Sequence, residues 1–155
     1  MADRAFIEEN SAARRELAEL IAHLDERSLQ SAVASGWTVS TLLCHLAIWD
    51  RMALFCLRKW QAGGHPPSRL GPQSIDSINE ELAAISQAVP GPAAARLALD
   101  SAAAVDSLVE GIAGELRHRV VTAGFERYLR RSLHRLEHLR RIREALGPKF
   151  PSSSR

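Results

Sequence analysis

A chain of 155 residues with 46% hydrophobic and 25% charged side chains has the size of one domain, and folding at this length removes roughly 68–70% of the unfolded surface from water. This composition excludes a disordered chain, a net charge of +2 is too small an excess to indicate a nucleic-acid binder, and two cysteines, Cys44 and Cys56, exclude a disulfide framework. The charged first ten residues lack the apolar stretch of a secretory leader, and no run approaches the ~18 apolar residues of a membrane span, so a cytoplasmic protein with no membrane partner is expected.

Apolar periodicity predicts helices along most of the chain. The first runs from about Asp3 to Glu26, with Phe6, Ile7, Leu17, Leu20, Ile21 and Leu24 at three- and four-residue steps. A second follows Gly36-Trp37, capped by Thr38 or Ser40, and runs to about Ala62. Gly63-Gly64, Pro66-Pro67 and Gly71-Pro72 then interrupt the pattern before a shorter helix from about Ser74 to Val89. Pro90-Gly91-Pro92 ends it, and two further long helices follow, about Pro92 to Arg117 and about Ala123 to Leu146, the last stopped by Gly147-Pro148. Residues 147–155 are expected to form a disordered tail beyond a single domain over residues 1–146.

About three quarters of the chain is thus predicted helical, against a base rate of roughly one third, and the fold class is all-α. Four of the five helices are close to 25 residues, about 37 Å long, a length match that points to a four-helix bundle. Short connections make the first two and the last two long helices antiparallel pairs. About 29 residues between the pairs, including the short extra helix, form a crossover long enough to traverse the bundle, so the order is up-down-down-up.

Of six histidines, three stand out. In helical projection Met52 and Cys56 fall about 20° either side of His45 and Trp49 about 40° away, so His45 is centred on an apolar face. A buried imidazole needs a partner, which a backbone carbonyl or a water can supply as well as a metal. His134 and His138 are four apart and project from one side of the last helix, a spacing that serves a metal site or two unrelated surface residues. Depth separates these options. In the up-down-down-up order His45 lies about 10 Å from one end of the bundle, with His138 about 12 Å and His134 about 18 Å from the same end. An up-down-up-down order places the latter two at about 22 and 16 Å, a poorer match.

Other metal chemistries do not fit. Arg135 follows His134 where a zincin has Glu, and Arg131 and Arg135 stand where a ferritin-like site has Glu. Cys56 is about 16 Å along the helix from His45, and Cys44 points about 100° away. What remains is a three-imidazole site at His45, His134 and His138 with open coordination positions, suited to a divalent metal, Zn, Ni or Fe. His23, His65 and His118 are expected on the surface or in loops, as are the off-axis acids Asp50 and Glu137.

Gly36-Trp37-Thr38-Val39, then His45-Leu46-Ala47 and Trp49-Asp50, then Asp76 to Asn79, and finally His134-Arg-Leu-Glu-His138 resemble the DinB-like superfamily, which includes YfiT-type metalloproteins and the N-terminal domain of mycothiol-dependent maleylpyruvate isomerase. The likeness covers nearly the whole chain. It implies an up-down-down-up bundle, often a homodimer, with one divalent metal on His45, His134 and His138. It also implies a low-molecular-weight thiol, mycothiol, bacillithiol or glutathione, as cosubstrate in transferase or isomerase chemistry on small electrophilic molecules.

The functional expectation is therefore a metal-dependent enzyme that activates a thiol or water for attack on a small-molecule substrate. Trp49, one turn after His45, is expected to line the pocket, and Arg131 and Arg141, flanking the histidine pair, either hold an anionic group or cover a solvated helix face. The competing expectation is a non-catalytic metal- or small-molecule-binding dimer. Nucleic-acid binding by the arginine-rich last helix fits poorly, because Glu126, Glu137 and Glu144 interrupt the basic run and Tyr128 is its only stacking residue.

Overall fold

The computed structural model describes residues 2–147, which form eight helices and no strand; one isolated bridge joins Ala32 to Thr38. The N-terminal helix α1 (Ala2–Ala22) stops earlier than its apolar pattern implies. Asp25 starts a new short helix, α2 (Glu26–Gln30), by accepting a hydrogen bond from the Ser28 backbone N–H at 2.7 Å. The long α3 (Val39–Gln61) begins where its sequence signals place it, with the Thr38 hydroxyl accepting from the Thr41 N–H at 3.1 Å. Pro72 opens α4 (Pro72–Ser86), and α5 (Gly91–Gly111) follows the Pro-Gly-Pro break.

The C-terminal third departs from two unbroken long helices. Helix α5 ends at Gly111, where Ile112 and Ala113 turn extended, and α6 (Gly114–Thr122) continues in a new direction, with the Arg117 guanidinium donating to the Ile112 carbonyl. Gly124, at φ +79°, sits in a backbone conformation that other residues rarely adopt, and a Cβ there would also push the Arg69 guanidinium aside. One turn of helix, α7 (Glu126–Leu129), precedes α8 (Ser132–Leu146). The last helix is therefore 15 residues long rather than about 25, and the expected length match fails for it. The break at Arg130 survives because α1 satisfies it from outside. Asn10, 1% exposed, donates to the Leu129 carbonyl at 2.7 Å and accepts from the Ser132 N–H at 2.8 Å.

Two apolar clusters fill the interior. Leu42, Leu43 and Leu46 near the start of α3 meet Ala94, Ala98 and Ala102 near the start of α5, with Leu17 and Leu139 alongside. Toward the ends of the same helices Leu54, Leu57 and Trp60 meet Val105, Val109 and Ile112. The small residues of α5 let α3 approach it closely, and α1 packs on α5 and α8. By length and composition α3 could cross a bilayer, but 72% of its most apolar stretch is buried inside the protein, as expected of a central core helix. Of the expected tail, only Gly147 lies within the described residues.

Candidate metal centre

His45 sits in the second turn of α3, buried at 8% exposure, while His134 and His138 lie one turn apart on α8. All three rings meet. His45 Nε2 and His138 Nε2 each lie 3.1 Å from His134 Nε2, and one ligand nitrogen from each ring falls within 4.8 Å of the others. Nitrogens bound tetrahedrally at 2.0–2.1 Å around one cation are separated by about 3.3 Å, and the two 3.1 Å spacings to His134 are close to that. The ends from which the expected depths were counted, Thr38 before α3 and Gly147 after α8, are kept, whereas the other end of the last helix moved.

The electrostatics also suit ligation. Burial lowers the His45 imidazole to about 3, with His138 and Arg131 adding to the effect. Burial, then Arg131, holds His134 well below the ordinary histidine range, and burial with Arg141 lowers His138 to about 4. All three rings are thus neutral at pH 7, the form that offers a lone pair to a cation. His138 Nδ1 is buried without a hydrogen-bond partner, so no acceptor fixes that ring from behind.

The rings open onto a cleft of about 860 Å³ lined by Trp37, Trp49, Tyr128 and Arg127 among others. Trp37 and Trp49 flank His45 with ring centroids at 5.4 and 6.3 Å. Trp49 lines the cleft as expected, held by a 2.9 Å hydrogen bond from its Nε1 to Asn79 Oδ1 on α4. Met52, two turns beyond His45 and nominally on its face, instead turns to a groove on another side of α3.

Both flanking arginines border the cleft, but each already meets a carboxylate. Arg141 pairs with Glu137 at 2.7 Å in an exposed pair one helical turn apart, as a solvated face would have it. Arg131 is 5% exposed, which corrects the solvated-face expectation for it. Its Nε donates to Asp50 at 2.7 Å, its Nη1 to the Arg127 carbonyl at 3.0 Å, and its Nη2 lies 3.1 Å from His134 Nδ1. It stands behind a candidate ligand and has little left to offer a substrate.

The expected surface role of Asp50 is likewise overturned, since this carboxylate is 1% exposed and accepts from both Arg131 and Arg135. Arg135, fully buried, also forks onto Asp106 of α5 at 2.8 and 3.0 Å. One acid on the helix of His45 therefore anchors two arginines that flank His134. Helical projection placed Asp50 off the His45 direction correctly, but could not show that α8 packs along that side. His23, His65 and His118 are exposed and outside the centre, and the buried Cys44 and Cys56 take no part in it.

Neither curated proteins nor solved structures yielded a match to this chain. A family model does match: that of the mycothiol maleylpyruvate isomerase N-terminal domain, over residues 11–144, a span containing all three histidines and the buried arginine–aspartate network. The chain belongs to the mycothiol maleylpyruvate isomerase N-terminal domain family, and through it to the DinB-like superfamily.

Proposed function

We propose that the protein binds one divalent metal through His45, His134 and His138 and uses it in thiol-dependent transfer or isomerisation, or in hydrolysis, of a small electrophilic compound. The meeting of the three Nε2 atoms from two helices carries this reading. Membership of a mycothiol-linked family supports a low-molecular-weight thiol as cosubstrate. A divalent cation held there supplies Lewis acidity, lowering the pKa of a coordinated thiol or water so that a nucleophile exists at neutral pH. Trp37 and Trp49 restrict access to one side of His45, Asn79 holds the Trp49 ring in place, and Arg141 and Arg127 lend positive charge to the cleft for an anionic group.

We extend the proposal to an up-down-down-up bundle. Glu9 pairs with Arg130 and Glu16 with Arg143, so α1 and α8 would run in the same direction. Leu42 meets Ala98 and Leu57 meets Val109 in shared clusters, favouring parallel α3 and α5, while His45–His138 and Asp50–Arg131 oppose α3 to α8. The proposed working state is a homodimer.

Elemental analysis of the purified chain tests the metal, with about one equivalent expected in the native protein. His138→Ala is expected to lose stoichiometric metal and retain helical circular dichroism; full retention of metal would remove His138 from the site. Consumption of mycothiol, bacillithiol or glutathione with a generic electrophile tests the chemistry. Bound metal without turnover of any thiol or hydrolysable ester would leave a binding protein.

A further inference from the structure

A second depression, of about 500 Å³, lies on another side of α3 and shares no lining residue with the histidine cleft. Ala47, Ile48, Met52 and Phe55 contribute a stripe at helical spacing along α3. Ile85 near the end of α4, Val89 in the turn after it and Leu97 from α5 form the facing wall. Arg51 is the only charged residue lining it. Four of the eight large hydrophobic side chains exposed among the described residues gather here: Met52 (42%), Phe55 (58%), Ile85 (67%) and Leu97 (42%).

We infer that this groove is where two copies of the chain pair, an inference that rests on the homodimer proposed above and gives it a surface. The area is of the right order. At roughly 150–200 Å² for a large apolar side chain, these exposures leave about 350 Å² of apolar surface on four residues. A standard interface covers about 800 Å² per partner, so four side chains would supply nearly half of it. The largest apolar patch on a typical lone domain is of this size, roughly 300–600 Å², and often marks an interaction site.

The shape and charge suit a two-fold axis, which requires one surface to complement itself. Phe55, the aromatic side chain most exposed here, stands beside the hollow, so knob and hole share one face. Arg51 supplies a positive charge, while exposed Glu81, one turn before Ile85, and exposed Asp100, one turn after Leu97, supply negative charge nearby. None of the three enters an ion pair among the described residues, leaving both signs available to a second copy. Pairing through this side of α3 leaves the histidine cleft open.

Sedimentation velocity of the full chain over a concentration series tests the inference. The wild type is expected at twice the chain mass. Phe55→Glu and Ile85→Glu are each expected at the chain mass, with unchanged helical circular dichroism and zinc uptake. Arg51→Glu, a surface change that keeps the apolar floor, should raise the dimer dissociation constant roughly tenfold. Leu136→Glu, at an exposed position of α8 outside the groove, should leave the dimer intact. A wild type monomeric throughout, whether or not the groove then binds an apolar dye, overturns both the dimer and this surface. A wild-type dimer that survives both Phe55→Glu and Ile85→Glu overturns the groove alone.

Discussion

The Arg131 guanidinium lies 3.1 Å from Nδ1 of His134, and because a guanidinium only donates, Nδ1 must accept. A neutral imidazole that accepts at Nδ1 carries its proton on Nε2, the atom 3.1 Å from both His45 Nε2 and His138 Nε2. Ligating histidines more often donate their other N–H to an acceptor, so His134 differs from the usual ligand in what stands behind it. For His134 to ligate through Nε2 with Arg131 in place, that proton must leave.

Zinc uptake by the metal-free wild type near pH 7 should therefore release about one more proton than uptake by Arg131→Lys, which keeps a positive charge near Asp50 but lacks the fork that reaches His134. Titration in weakly buffered solution measures the difference. Equal release would show that Arg131 turns away when metal binds.

Asp50→Asn should destabilise the protein by about 3–5 kcal/mol, because it removes one partner from a buried set and leaves Arg131 and Arg135 with uncompensated charge. Zinc affinity should fall as well, since Asp50 ties the helix bearing His45 to the one bearing His134 and His138. Urea denaturation of the metal-free protein and a competitive zinc titration read the two effects separately. Loss of stability without loss of affinity would make the network structural only.

Asn10→Ala should cost about 1–3 kcal/mol in stability by leaving the Leu129 carbonyl and the Ser132 N–H buried and unpaired. Because these groups flank the start of α8, increased amide exchange should appear first at residues 129–134, which hydrogen-exchange mass spectrometry would locate.

The metal-free protein should lose stability as pH falls below about 6.5. His45 is lowered to about 3 and His138 to about 4, so between those values and 6.5 the unfolded chain binds protons that the folded chain does not. Stability then rises with pH through this window, by up to about 1.4 kcal/mol per pH unit for each such group. Denaturant midpoints at pH 7 and pH 5 measure the slope, and His45→Gln should flatten it. Bound metal should add stability at pH 7 that is lost on acidification, as protons compete for the imidazoles.

What the sequence determined by itself was local. Apolar periodicity, the Thr38 cap, the Pro-Gly-Pro break and the Gly147 stop are short-range steric and hydrogen-bonding signals, and they placed α3, α4 and the end of α8. Counting from those ends put His45, His134 and His138 at similar expected depths, and the three rings do meet. Gly111 and Gly114 could have indicated the break after α5, but the break before α8 has no such mark, because its buried backbone groups are satisfied by Asn10, more than a hundred residues away. The roles of Asp50 and Arg131 were hidden for the same reason. A charged side chain on a helix reads as solvated until another helix covers it, and whether a buried charge is tolerable depends on the opposite charges that covering helix brings. Only packing of α1, α3, α5 and α8 against one another decided that.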